Sequence, residues 1–227
     1  MPSQRPARYP IGASVRRVVG RRWQSVVILV AMGLLYTLVS GPLRLPGAPW
    51  RVLAWGGGAI LVLSVVVPFL HARGMGWLAQ AIGLAATAGI TLVIINSVRS
   101  LALLPSDELP AGRDLFLNTA LIWSLNVLVF ALWYWEIDGG GPIRRGQGAY
   151  HVTDFAFPQF QLDEPSLRDG WQPNILDYLF LSFCTSTAFG PADTIVLSRR
   201  GKVLMIVEAL ISLVVGGVLV GRAVGEL

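Results

Sequence analysis

The chain has 227 residues, of which 54% are hydrophobic and only 14% charged, well under the roughly 25% of a soluble domain. That balance excludes a soluble globular protein and reads as an integral membrane protein. The formal net charge is +5, but the basic residues are nearly all arginine and gather at segment ends, so the surplus reads as membrane topology and not as nucleic-acid binding.

Residues 1–23 form a polar arm with Arg5, Arg8, Arg16, Arg17, Arg21 and Arg22, ending in Trp23 at the edge of the first apolar run. A secretory signal would also place basic residues before an apolar core. This arm is long, however, and no small-residue cleavage pattern follows promptly, so it reads as a retained cytoplasmic arm placed to touch anionic headgroups. Residues 24–112 read as a three-helix membrane region with apolar runs Ser25–Ser40, Val52–Leu70 and Trp77–Val98, and a fourth run, Leu115–Trp135, follows. At about 1.5 Å per residue the longer runs cover the roughly 30 Å of hydrocarbon. Arg44, Arg51, Arg73, Arg99 and Arg113 fall between runs. Trp50, Trp55, Trp77, Trp133 and Trp135 sit near run ends, where indole rings favour the headgroup layer. Small residues at Gly56, Gly57, Gly58, Gly83 and Gly89 predict close helix packing, and Asn96, Asn118, Ser124 and Asn126 predict hydrogen bonds between helices.

Residues 137–173 break the apolar pattern with Gly139, Gly140, Gly141, Pro142, Pro158, Pro165 and Pro173, and read as a long aqueous loop. Phe155, Phe157, Phe160 and Trp171 predict that it packs against the membrane face or a neighbouring subunit. His151 and Asp154 would make two metal ligands, but with no third of comparable spacing they read as solvated surface, and no metal is expected. Asn174 is placed to cap a helix, with Asp177 three residues later in its first turn. A helix from Ile175 to Thr187 would be about 20 Å long, so it must stop inside the bilayer. Cys184 is the single cysteine; it excludes an internal disulfide and reads as a small apolar filler of that helix. Next come Thr185-Ser186-Thr187-Ala188-Phe189-Gly190-Pro191-Ala192-Asp193 and a last apolar run, Val203–Val224, long enough to cross. Glu208 is its one acid, a functional candidate by position or a partner for Arg199 or Arg200. The expected fold is all-α integral membrane, with five transmembrane helices and one re-entrant segment.

From Asn174 to Val224 the chain resembles the pore module of the tetrameric potassium-channel superfamily, whose filter motif runs T-x-T-T-x-G-Y-G-D. Thr185, Thr187, Gly190 and Asp193 match it, while Ala188, Pro191 and Ala192 replace the second of the adjacent Thr, the Tyr and the second Gly. Leu197-Ser198-Arg199-Arg200-Gly201-Lys202, running into Val207-Glu208-Ala209-Leu210, is similar to what small bacterial members carry after the filter. Asn126–Glu136 also resembles a stretch of uncharacterised bacterial membrane proteins, which implies no activity.

The resemblance implies that residues 113–227 form a pore-like module: an outer helix, the loop 137–173, a pore helix 175–187, a filter-like loop 188–193 and an inner helix 202–224. Four copies would surround one cation pathway, passing potassium or sodium across a bacterial inner membrane. The short helix would aim its carbonyl end, partly negative, at the place where a cation sheds water. Gly190 keeps one of the two backbone-permissive glycines, but Ala192 costs roughly 1 kcal/mol if a left-handed conformation is needed there. Pro191 fixes its own φ near about −65° and restricts Gly190. The pore is therefore expected to be less potassium-selective than the family norm, with Phe189 as an apolar constriction, Asp193 at the mouth, and Thr185 and Thr187 offering hydroxyls or capping their own helix. Gly216 and Gly217 would act as a gating hinge, or else mark a close helix crossing.

Topology is in tension with this picture. A pore entered from outside puts the arginine-rich arm outside after three crossings, whereas the positive-inside bias puts it inside. Either the pore is inverted, as in glutamate-receptor channels, or one early run is not a full crossing. A non-conducting membrane protein of the same fold is the rival reading. A membrane enzyme or carrier is disfavoured, because no cluster of intramembrane carboxylates, no nucleophile motif and no phosphate-cradling loop appears, and no cofactor is expected.

Overall fold

The computed structural model describes residues 27–39, 75–105, 108, 112–147, 152, 154–161, 171–187 and 193–225. The arm 1–23, the run Val52–Leu70, His151 and the loop residues Ala188, Phe189, Gly190, Pro191 and Ala192 lie outside the described residues. In chain order the elements are α1 (Val27–Leu38), α2 (Gly76–Leu103), α3 (Gly112–Ile137), a 3-10 turn (Asp138–Gly140), α4 (Gly141–Gln147), β1 (Phe155–Ala156), α5 (Pro158–Gln161), α6 (Ile175–Ser186), β2 (Ile195–Val196) and α7 (Arg199–Gly225).

Helices α2, α3 and α7 are long and apolar enough to cross a membrane. Among the described residues the long apolar helices thus number three, against five expected spans: the described part of α1, Val27–Leu38, is shorter than a crossing, and the second run lies outside. Hydroxyls within α2 and α3 bond back to carbonyls one turn earlier, as with Thr87 to Gly83 and Thr119 to Leu115. Such back-bonds let polar side chains sit in an apolar helix without an unsatisfied group.

Helix α3 is the centre of the bundle, with α2, α6 and α7 packed around it. Ile122, Leu125, Val129, Phe130 and Trp135 are buried along it, and Ile28 and Met32 of α1 join the same core. Helices α2 and α3 are tied together by Trp133 Nε1 donating to Thr91 Oγ1 at 2.9 Å. At the end of α3, Gly139, Gly140 and Gly141 have φ of 60°, 77° and 91°. Three successive residues of positive φ stop the helix and turn the chain onto its own end. Gln80 Nε2 donates to Gly140 O at 3.1 Å, so the start of α2 lies at this end too.

The expected aqueous loop is, where described, a folded cap on that end. Phe155 and Phe157 are buried, and rings of this one chain enclose them: Phe155 lies 5.2 Å from Tyr134, and Phe157 5.4 Å from Tyr178. Aromatic pairs of this kind contribute about 0.5–1.5 kcal/mol each beyond area burial, which explains why the segment folds back instead of lying along a membrane face. β1 and β2 pair antiparallel, Phe155 with Val196 and Ala156 with Ile195.

Helix α6 opens on the predicted cap. The Asn174 side chain accepts from Leu176 N at 2.8 Å, and Asp177 accepts from Asn174 N at 2.7 Å. It runs antiparallel to α3, with Tyr178 against Trp135 (5.6 Å) and Phe183 against Trp123 (5.7 Å). Its 12 residues span about 18 Å, and Thr187, expected within the helix, is its C-cap. By Asp193 the chain is back at the capped end, where Gln161 Nε2 donates to Ala156 O and Asp193 O, both at 2.7 Å. Ser198 then caps α7, its hydroxyl accepting from Gly201 N at 3.0 Å.

Candidate functional site

Two polar layers hold α6, one at each of its ends. The outer layer is a clip at the capped end. Asp138 and Asp154 are buried, and Asp138 accepts from the Tyr178 hydroxyl at 2.6 Å and from Asp154 N at 3.3 Å. Asp154 takes both Arg200 Nε and one of its terminal nitrogens at 2.6 Å, a bidentate ion pair, the geometry that makes arginine–carboxylate pairs strong. A terminal nitrogen of Arg200 also donates to Ile137 O at 3.0 Å. Buried Arg145 donates to Trp135 O at 2.8 Å and to Asp138 O, with its guanidinium 4.6 Å from the Trp135 ring centre. The ends of α3, α6 and α7 are thereby joined by charge-assisted bonds.

Asp154, read from the sequence as solvated surface, is instead buried, because both its carboxylate oxygens are held by Arg200. Among the described residues no group of three or more His, Cys, Asp or Glu could hold a metal ion. Partial burial pushes the Asp177 carboxyl above its ordinary value of 3.8, opposed by the bond from Asn174 N.

The inner layer lies about two helix turns deeper and centres on Glu208, which is fully buried. Its carboxylate accepts from the Tyr134 hydroxyl of α3, from Ser182 of α6, and from Ser186 of α6 at 2.8 Å. Ser182 also faces Val127 O of α3 at 2.8 Å. Asn126 Nδ2 donates to Ser212 Oγ at 3.0 Å and to Glu208 O at 3.3 Å. No basic side chain pairs with Glu208 among the described residues. The expected partnership with Arg199 or Arg200 is corrected: Arg200 sits at the start of α7, about 12 Å along the helix axis from Glu208, and binds Asp154 instead.

The predicted site residues fall in three groups. Thr185 donates to Leu181 O at 2.8 Å and Thr187 to Phe183 O at 2.9 Å, so both hydroxyls satisfy carbonyls of their own helix. Asp193 stands at the capped end, its carbonyl bound by Gln161. Ala188, Phe189, Gly190, Pro191 and Ala192 lie outside the described residues. Gly216 and Gly217 lie within the unbroken α7, and a Cβ at either would meet nothing within 4 Å. A close helix crossing there is absent within the described chain. Asn126 joins α3 to α7 as expected, whereas Asn118 and Ser124 bond to their own helix at Asp114 O and Ala120 O.

Tyr134, Ser182 and Ser186 escaped sequence reasoning, though a signal exists. Tyr178, Ser182 and Ser186 stand four residues apart, a polar stripe along one face of a mostly apolar helix, and Glu208 and Ser212 repeat the spacing on α7. No protein-family model matches the chain, and neither a curated protein nor a solved structure does.

Proposed function

We propose that the chain is one subunit of a cation pore in a bacterial inner membrane. In this reading α6 is the pore helix, re-entrant from the capped end, and residues 188–193 are the loop that returns along the pathway. The observation that carries it is the path of α6. This short apolar helix begins at the capped end and stops about halfway along α3, and the chain is back at the capped end by Asp193. Irregular backbone at membrane depth is tolerated only where protein buries it or it lines water. A helix whose carbonyl end stops there offers partial negative charge to a desolvating cation. Among the described residues α6 is the one short helix that starts and returns at the capped end, so an axis needs several copies, and a homotetramer is the arrangement the sequence resemblance favours. Pro191 and Ala192 make the pathway less potassium-selective than the family norm, and α7 lines it with Gly216 and Gly217 as the hinge.

A second reading, the same fold without conduction, is favoured by the two threonine hydroxyls. Thr185 and Thr187 are turned to their own helix carbonyls, which leaves them poorly disposed toward an ion. Purified protein in liposomes, loaded with potassium or sodium, separates the two. Flux abolished by Gly190→Ala and reduced by Asp193→Asn is the expected result, with a potassium-to-sodium ratio near unity. Intact oligomers that pass neither ion would give the non-conducting reading first place.

A further inference from the structure

We propose that Glu208 is an intramembrane proton-binding site whose charge state sets how strongly the inner end of α6 attracts a cation. The site itself rests on side-chain geometry; its consequence for ions rests on the pore reading above.

The hydrogen-bond inventory of the cluster is short of one proton. Ser182 has a single hydroxyl hydrogen, yet it faces two acceptors, Glu208 Oε1 and Val127 O. Tyr134 and Ser186 each give their one hydrogen to the same carboxylate. Adding one proton at Oε1 fills the shortage. The carboxyl then donates to Ser182 Oγ, and the Ser182 hydrogen goes to Val127 O alone. Nothing else is made or broken, and the proton comes from water. Ser186 and Ser212, each 8% exposed, are the members of the cluster nearest solvent, while Glu208 is fully buried.

Among the described residues no basic side chain serves as counter-ion to Glu208. α1 carries no ionisable side chain but Tyr36, α2 carries Arg99, and α6 carries Asp177, Tyr178 and Cys184. α3 adds Arg113, Asp114 and Glu136 to Tyr134, and α7 carries Arg199, Arg200 and Lys202 in its first turn and Arg222 near its far end. Among those with described side chains only Tyr134 bonds the carboxylate, and Arg200 is held by Asp154. An ionised Glu208 therefore adds negative charge beside the carbonyl end of α6, which is already partly negative. A cation at that end offsets the repulsion; so does a proton on Glu208. The two compete, and by linkage each lowers the other's affinity.

Infrared difference spectra across an acid-to-alkaline titration read the proton directly, and liposome flux reads its consequence. The wild type is expected to show a protonated-carboxyl band that disappears as pH rises and is absent in Glu208→Gln. Glu208→Asp, which keeps the acid should Gln disturb folding, is expected to retain a band. Cation flux is expected to fall about fivefold or more on acidification and to lose that dependence in Glu208→Gln. If the band titrates but no pH gives flux, the proton site stands and the pore reading fails. A wild type and Glu208→Gln with the same carboxyl titration would overturn the inference whatever the flux.

Discussion

The clip at the capped end predicts an asymmetry between its two partners. Asp154 has a 1% exposed side chain, and the Arg200 side chain is 56% exposed. Removing the cation with Arg200→Gln leaves a buried carboxylate without its counter-charge. Breaking a fully buried pair in this way costs about 3–5 kcal/mol, and solvent at the arginine reduces that to roughly 2–3 kcal/mol. Removing the anion with Asp154→Asn is milder. The guanidinium keeps Ile137 O and can turn to water, so the loss is the charge-assisted part of two hydrogen bonds, about 1–1.5 kcal/mol. The double variant should lose about 1 kcal/mol less than the sum of the single losses, because each single change removes the same pair. Unfolding of the reconstituted protein in a denaturing detergent series, followed by its 8 tryptophans, measures all three. Asp154→Asn costing as much as Arg200→Gln, or strict additivity, would refute a buried anion held by a solvent-facing cation.

Asn174→Ala and Asp177→Ala should each cost about 1 kcal/mol and be less than additive, since the two side chains satisfy one another's backbone donors; the same unfolding series checks this. Gly141→Ala should cost about 2 kcal/mol or more, because its φ is +91° and the new methyl would meet Gln80 Nε2 at 2.5 Å. Gly216→Ala has open space and helical backbone, so it should gain roughly 0.5–1 kcal/mol. If flux nevertheless changes in Gly216→Ala, the hinge is functional; if stability falls, the open-space argument is wrong.

The start of α6 was legible because Pro173, Asn174 and Asp177 act on neighbours within one turn. The three long apolar helices were legible for a related reason: length and composition are local properties. The cap was not. Its glycines were visible as breakers, but Tyr134 and Tyr178, whose rings enclose Phe155 and Phe157, lie about 20 residues away, and nothing in their own neighbourhood distinguishes a buried ring from one on a membrane face. Glu208 stood out as a lone acid in an apolar run, yet its obvious mate, Arg200, was the wrong one. Eight residues along a helix put two side chains on nearby faces and about 12 Å apart along the axis, whereas Asp154, 46 positions away in sequence, arrives by the fold. Back-bonded threonines were legible as an alternative, and the structure takes that alternative at both Thr185 and Thr187.

What unites these observations is that α6 has two unlike faces. Tyr178, Ser182 and Ser186 turn inward to carboxylates on Asp138 and Glu208, so its rotation about its own axis is fixed at both ends. Rotating it by one residue would leave a buried acid short of a donor at each level, a cost of about 1–3 kcal/mol per group. Leu176 and Phe180 consequently point away from the chain and are exposed, as are Ile206, Leu210 and Leu213 on α7. Lipid and a second copy of the chain would both accept such a surface, but only the second places the carbonyl end of α6 near an axis. In the pore reading conduction would depend on assembly, so the mass of the detergent-solubilised oligomer bears on that reading as directly as flux does. A monomer under conditions that preserve the fold would leave α6 facing lipid and would remove the geometric reason for a pore.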